Sequence, residues 1–425
     1  MKFSDAIGQD DVKAVLRRCA DAGRVGHALL LSGPPGRGGL ALALAYAAYL
    51  NCARRSGGDS CGQCPSCRKF AELAHPDLHF VFPTVTKKDP ASGSSKAVQG
   101  LSDNYLPRWR ETVASTGGYF DEAGWYDRLG IGNQQGVIPK RDADEVIRKL
   151  SFKSFEAEVK TVLVWLPEKM NVEAANTLLK ILEEPWPGTL FLLVAADTRT
   201  MLPTVLSRVQ SVDIPPIAPQ PLEEYAMRLL SRPAPGGGRT APGANPDDVQ
   251  ATAVAAPDDG AAAPGTNPGS GRELARAAAR LSGGDAVALR SVLSAMTGED
   301  AADEDFEDFA ALMRFSYNDR HPELLEWADR LAETGRERQK RFLCASVGLL
   351  REAFLLGMGV PEVTALWGAR REFCDRFAPY VHENNIGPLV EEFESALLHI
   401  ARNGNPRIVL THFALSVSKL IVRNR

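Results

Sequence analysis

The apolar positions of this chain follow two different periods. Residues 10–22 place Val12, Val15, Leu16 and Cys19 at helical spacing, which predicts an amphipathic helix. Residues 27–32 (HALLLS) are instead an unbroken apolar run, short enough for a strand buried on both faces. A glycine-rich turn follows, and residues 40–51 then read as an apolar helix. The alternation resumes further along. Residues 142–150 carry Val146, Ile147 and Leu150 at helical spacing, residues 161–166 (TVLVWL) read as a buried strand, residues 173–184 as an amphipathic helix and residues 190–195 (LFLLVA) as another buried strand. Short apolar strands alternating with helices predict an α/β domain with a mostly parallel sheet.

Three stretches break the pattern. Residues 83–136 mix Pro, Gly, Ser and aromatics without periodicity and read as an irregular insertion. Its Tyr105, Trp109, Tyr119, Phe120, Trp125 and Tyr126 give it apolar mass to pack. Residues 232–271 are rich in Pro, Gly, Ala and Asp; they bury too little apolar surface to offset ordering entropy, so a disordered linker is expected. From 297 onward the chain reads as helical, with amphipathic stretches at 341–355 and 409–422.

Composition adds bounds rather than detail. At 425 residues, more than one core is expected. A 44% hydrophobic and 24% charged composition is that of a soluble globular protein. No apolar run approaches the roughly 18 residues of a spanning helix, so no membrane association is expected. The opening MKFSDAIGQD has no signal-peptide core, which makes a cytoplasmic location the expectation. A net charge of −4 argues against coating nucleic acid by bulk charge, though a local basic patch stays compatible with it.

Candidate chemistry begins after the first apolar run. Gly33-Pro34-Pro35-Gly36-Arg37-Gly38-Gly39-Leu40 has the strand–loop–helix setting of a phosphate-binding loop, G-x-x-x-x-G-K-S/T, with Gly33 and Gly38 at the right spacing. Gly39 stands where the lysine that neutralises phosphate belongs, and Leu40 where the magnesium-binding hydroxyl belongs. The sequence therefore describes a loop without its working parts, unless Arg37 substitutes for the lysine. Backbone N–H groups at the following helix N-terminus could still attract an anion.

Four of the seven cysteines fall close together as C-x8-C-x2-C-x2-C: Cys52, Cys61, Cys64 and Cys67. Four thiolates at that spacing suit a tetrahedral structural zinc with no open position for water. An iron–sulfur cluster is the rival reading, and four unrelated reduced thiols the bland one. His75 and His79 follow nearby and read as bystanders. Cys344 and Cys374 lie in apolar helical stretches and read as core residues. Glu183 and Glu184, at the end of a helix before Pro185, read as exposed or packing residues rather than an acid/base pair.

Residues 174–185 (AANTLLKILEEP) and 202–208 (LPTVLSR), together with the opening SDAIGQ, resemble signatures of bacterial clamp-loader subunits of the AAA+ family. The decayed loop and the insertion resemble the delta-prime subunits among them. The resemblance covers residues 1–217 by motif and the rest by layout. It implies an AAA+ α/β core over 1–217 carrying a zinc module at 52–67, a helical lid over 218–296, and an all-α collar domain over 297–425 that joins other subunits. It also implies zinc at the four cysteines. An AAA+ strand should end in Asp-Glu; here that pair falls at Trp165 and Leu166, which cannot hold magnesium. The lid arginine of the family would fall at Val287, a third lost nucleotide contact.

What the resemblance implies for function is a subunit of the DNA polymerase III holoenzyme that does not hydrolyse ATP itself. Its partners would be gamma/tau-like ATPase subunits and a delta-like subunit, and through them the sliding clamp and primed DNA. The family's Ser-Arg-Cys motif appears here as Ser207-Arg208-Val209, with the cysteine lost and the arginine kept. Arg208 would then serve as an arginine finger, offering a planar, permanently charged fork to the γ-phosphate of a neighbour's ATP. A surface arginine paired with a nearby carboxylate is the plainer alternative. Two other functions compete: a working ATPase of the same fold, and a zinc-dependent nucleic-acid-binding protein whose binding alone would be tight and salt-sensitive.

Overall fold

The computed structural model describes residues 1–87, 98–99, 101–130, 136–231, 268–297, 304–360, 364, 366 and 368–422. The expected linker at 232–271 lies outside the described residues as far as 267, and its last residues open a helix that begins at Pro268.

Among the described residues the strands are β1 (Ala28–Ser32), β2 (Leu78–Val81), β3 (Thr86–Lys87), β4 (Val98–Gln99), β5 (Lys160–Trp165), β6 (Thr189–Ala195) and β7 (Gln210–Asp213). Five of them form one sheet in the order β2-β5-β6-β1-β7, every pair parallel. β3 and β4 form a separate antiparallel pair. The predicted strands are buried along their whole length, because helices cover both faces of a parallel sheet and leave no polar side. Alternate residues serve alternate faces: Leu29 and Leu31 of β1 join one core, Ala28 and Leu30 the other. The two edge strands escape periodicity analysis. β2 is only four residues long, and β7 (QSVD) is mostly exposed and polar, as suits an open sheet edge.

On the first face lie α1 (Asp10–Asp21) and α2 (Gly39–Leu50), with the short α3 (Pro65–Ala71) beyond them. Every residue of α2 is buried, which explains its lack of an amphipathic pattern. The stretch read as an irregular insertion contains α4 (Leu106–Thr116) and α5 (Glu122–Leu129), which pack against this same face. The opposite face is covered by α6 (Lys140–Ser151), α7 (Val172–Glu183) and α8 (Pro203–Leu206). This is an α/β core, a parallel five-stranded sheet with helices on both faces. Helices α9 (Pro219–Leu230), α10 (Pro268–Leu281) and α11 (Ala286–Thr297) follow, and their Leu222, Ala226, Ala278 and Leu289 extend the first core.

The C-terminal region is all helical: α12 (Glu304–Tyr317), α13 (His321–Glu333), α14 (Arg336–Gly357), α15 (Gly368–Phe377), α16 (Glu383–Ala401) and α17 (Pro406–Val422). Phe309, Trp327, Phe342, Phe393 and Phe413 fill a core of its own. Cys374 is buried there as expected. Cys344 is not: it sits on the exposed side of α14, so the apolar character of that stretch belongs to its neighbours Phe342 and Leu343.

Candidate functional site

The loop after β1 runs Gly33 to Gly38 into the N-terminus of α2. Gly38 takes a left-handed φ of 92°, which a side chain would strain. In a working loop this is where phosphates sit. Here the space is occupied. Gly33, Pro35, Gly39 and Leu40 face Gly118 and Phe120 from the insertion, with Trp165, Leu166 and Val194 closing the far side. The cavity that remains is about 10 Å³, no more than a single water needs. Trp165, at the position expected of the first acid, packs its ring 5.0 Å from Phe120 and 5.3 Å from Trp109. Leu166 is buried beside it with a left-handed φ of 56°. An apolar pair in place of hard oxygen ligands is chemistry that excludes a magnesium site at those two residues.

Arg37 is directed elsewhere. Its Nη1 donates to the Ile214 carbonyl at 3.2 Å, and its own carbonyl accepts from Gln9 Nε2 at 3.1 Å. Ser32, the last residue of β1, donates to the Asp213 carboxylate across the sheet edge. Val287 is partly buried against the first core, and its N–H is capped by Asp285 Oδ1 at 2.8 Å. An arginine that does reach this region is Arg290, three residues further along α11, which donates to the Thr116 and Tyr119 carbonyls.

Arg208 lies on the other side of the sheet. It follows α8, whose Val205 and Leu206 pack with α6 and α7, whereas α2 packs on the opposite face. Its Nε and Nη2 bind Glu183 Oε1 at 2.6 and 2.5 Å; Nη1 donates to the Thr204 carbonyl at 2.8 Å and to Ser207 Oγ at 3.0 Å. The side chain is 34% exposed. Ser207 is thus one of the groups that orient the guanidinium, and Glu183 is its ion-pair partner. Glu184 is not part of the pair. A half-exposed ion pair of this kind is worth about 0–1 kcal/mol, so Arg208 can be released at little cost.

The four cysteines converge at the end of α2. Cys52 follows that helix, Cys61 lies in a turn that Gly62 makes possible with a φ of 70°, Cys64 caps the N-terminus of α3, and Cys67 sits in its first turn. Their sulfurs all lie within 4.8 Å of one another, an arrangement that could hold a metal such as zinc. A tetrahedral zinc with bonds of about 2.3 Å requires sulfurs about 3.8 Å apart. The Cys61 and Cys67 sulfurs are 3.9 Å apart. Backbone N–H groups already serve the sulfurs as they would serve thiolates: Cys61 N donates to Cys52 Sγ at 3.2 Å, Cys64 N to Cys61 Sγ at 3.3 Å and Cys67 N to Cys64 Sγ at 3.4 Å. The N–H groups of Gln63 and Cys64 pull the Cys61 thiol down to about 6, while burial pushes Cys67 up to about 12. His75 is buried outside the cluster, its ring centroid 4.5 Å from that of Phe70, and burial lowers its pKa. Asp59 fastens the knob to the core by accepting from the backbone of Phe3 at 3.0 Å and Ser4 at 2.9 Å.

Residues 8–218 match the profile of a family described as DNA polymerase III, delta subunit. The DNA polymerase III subunit delta' of Pseudomonas aeruginosa is 32% identical over 209 residues, 49% of this chain and 49% of that protein. The subunit of the same name from Bacillus subtilis is 26% identical over 216 residues, 51% of this chain and 50% of its own length. The chain thus spans about half the length of the curated relatives it matches. A solved structure of a DNA polymerase III gamma subunit-related protein from Thermotoga maritima aligns over 96% of this chain and 99% of its own, at 14% identity and a TM-score of 0.36.

Proposed function

Because residues 8–218 belong to the DNA polymerase III delta-subunit family, we propose that the chain acts as a delta-prime-type clamp-loader subunit that turns over no ATP itself and supplies Arg208 to a neighbour. The observation that carries this reading is the separation of two half-sites. The phosphate loop is closed by apolar side chains around about 10 Å³, while Arg208 stands half-exposed on the far face of the sheet, out of reach of that loop. An arginine so placed is free of its own loop and would serve a pocket on another subunit. There it would meet the γ-phosphate as a fork, with Ser207 holding one arm and Glu183 exchanged for the stronger anion.

In this reading the partners are gamma/tau-like ATPase subunits and a delta-like subunit, with the sliding clamp and primed DNA reached through the assembly, in the cytoplasm. The domains divide as an AAA+ core over 1–217, a lid over 218–296 and a collar over 297–425 that holds the subunits together. The four cysteines take a structural zinc: bound there, it supplies the cross-link that a loop-rich knob with almost no core lacks.

The test is Arg208→Ala in a reconstituted loader. DNA-stimulated ATP turnover should fall at least about tenfold, since fingers supplied in trans are worth roughly 10³–10⁵ in rate. The melting temperature of the isolated chain should stay unchanged. Arg208→Lys should restore little, because an ammonium keeps the charge and loses the fork. Wild-type turnover by the alanine variant would overturn the assignment.

A further inference from the structure

The segment that closes the phosphate loop comes from the insertion, and its geometry is that of a ligand. Helix α4 ends at Thr116, and Gly117 and Gly118 turn the chain with φ of 67° and 79°. Gly118 lies so close to the first turn of α2 that a Cβ there would stand 3.3 Å from the Ala41 nitrogen and 3.4 Å from its Cα. The Tyr119 hydroxyl accepts from the Ile7 N–H at 2.7 Å and crowds Gly38, where a Cβ would come within 2.9 Å of it. Phe120 then covers Trp165.

The lid grips the same segment. Arg290 Nη2 donates to the Thr116 carbonyl at 2.8 Å and Nη1 to the Tyr119 carbonyl at 3.4 Å. The Tyr225 hydroxyl of α9 binds the same guanidinium, accepting from Nε at 2.8 Å, and its ring lies 6.3 Å from that of Tyr119.

We propose that residues 116–120 are an intramolecular occupant of the nucleotide pocket, and that Arg290 latches the lid onto this peptide as it would onto a phosphate. Electrostatics supports the substitution. The N-terminus of α2 carries about half a positive charge, and the carboxyl end of α4 brings about half a negative charge to meet it and the arginine. A bound phosphate would carry more charge than this, and the lysine that should neutralise it is absent at Gly39. The weakly charged peptide end matches what the pocket retains. The consequence is a core–lid junction fixed by the chain itself and indifferent to ATP. The inference deepens the reading of a decayed site and rests on that reading alone; it does not require Arg208 to act in trans.

Amide hydrogen exchange on the full isolated chain tests it. Wild-type exchange over 33–41 and α11 should be the same with and without millimolar Mg-ATP. Arg290→Ala should speed exchange in α11 and 116–120 at least about tenfold while leaving α12–α17 as they were. Tyr225→Phe, which removes only the hydroxyl that steers Arg290, should act in the same direction more weakly, and it decides the matter if the alanine variant also loses protection in α12–α17. Slowed exchange at 33–41 on adding ATP to wild type would mean that nucleotide displaces the segment, and the proposal would fall. Unchanged exchange in both variants would overturn the latch. Neither result bears on turnover by a loader carrying Arg208→Ala, so the two readings fail separately.

Discussion

Asp142 shows what a single buried carboxylate can cost. It stands in the first turn of α6, where one oxygen accepts from the Ser102 N–H at 2.8 Å and the other has no partner. Burial pushes its pKa up to about 6, against the partial relief that Ser102 gives. The folded value therefore lies above the unfolded one, and the native state holds the proton more tightly. Stability is fullest below the unfolded value near 4, falls as pH rises toward 6, and is level above it. Asp142→Asn should keep the bond from Ser102 and remove the charge. We expect it to raise stability at pH 7.5 by about 1–3 kcal/mol, with the difference from wild type vanishing toward pH 4. Urea melts of both proteins at the two pH values check this; a difference independent of pH would show that desolvation of the charge is not its origin. The same scale explains why Arg290 went unread. Its importance lies in which carbonyls it reaches, and those are more than one hundred and seventy positions away in sequence.

At the scale of elements, the insertion is the instructive case. Trp109, Thr112, Val113 and Thr116 are the buried positions of α4 and have perfect helical spacing, yet two of them are threonines and do not register as apolar. Start and stop signals were present as well: Asp121 caps α5 by accepting from Gly124 N at 2.8 Å, and Gly117 and Gly130 end the two helices in left-handed conformations. Trp109 stacks on Phe82 with centroids 4.4 Å apart and meets Trp125 at 5.3 Å, so the insertion is held by an aromatic cluster and not by a regular pattern. The cysteine knob is the opposite case, an element legible from spacing alone because its four cysteines announce it. Elemental analysis should find about one zinc per chain. Cys64→Ser should abolish that content and speed amide exchange over 52–71 at least about tenfold, leaving the sheet protected. Fully folded protein without zinc would refute the module.

The described residues of the whole molecule form two kinds of core. One is layered on both faces of the parallel sheet and extends into α9, α10 and α11; the other is enclosed by α12–α17. Residues 304–422, expressed alone, should therefore give a helical circular dichroism spectrum and one cooperative thermal transition. A fragment that melts without cooperativity would mean that the C-terminal helices depend on the rest of the chain. Among the described residues no helix is long and apolar enough to cross a membrane.

The sequence by itself determined the central strands, the helices that face them, the cysteine cluster and the loss of the loop's lysine and hydroxyl. All of these are local: a strand buried on both faces is apolar along its middle, an amphipathic helix must repeat its apolar face, and thiols that could share one metal must be closely spaced. Tertiary structure decided the rest. That Gly118 and Phe120 cover the phosphate loop, that Arg290 binds the Thr116 and Tyr119 carbonyls, and that Arg208 stands on the opposite face beside Glu183 are matters of which distant segments meet. Such meetings are set by close packing and by the need to pair every buried polar group, and neither leaves a periodic trace along the chain.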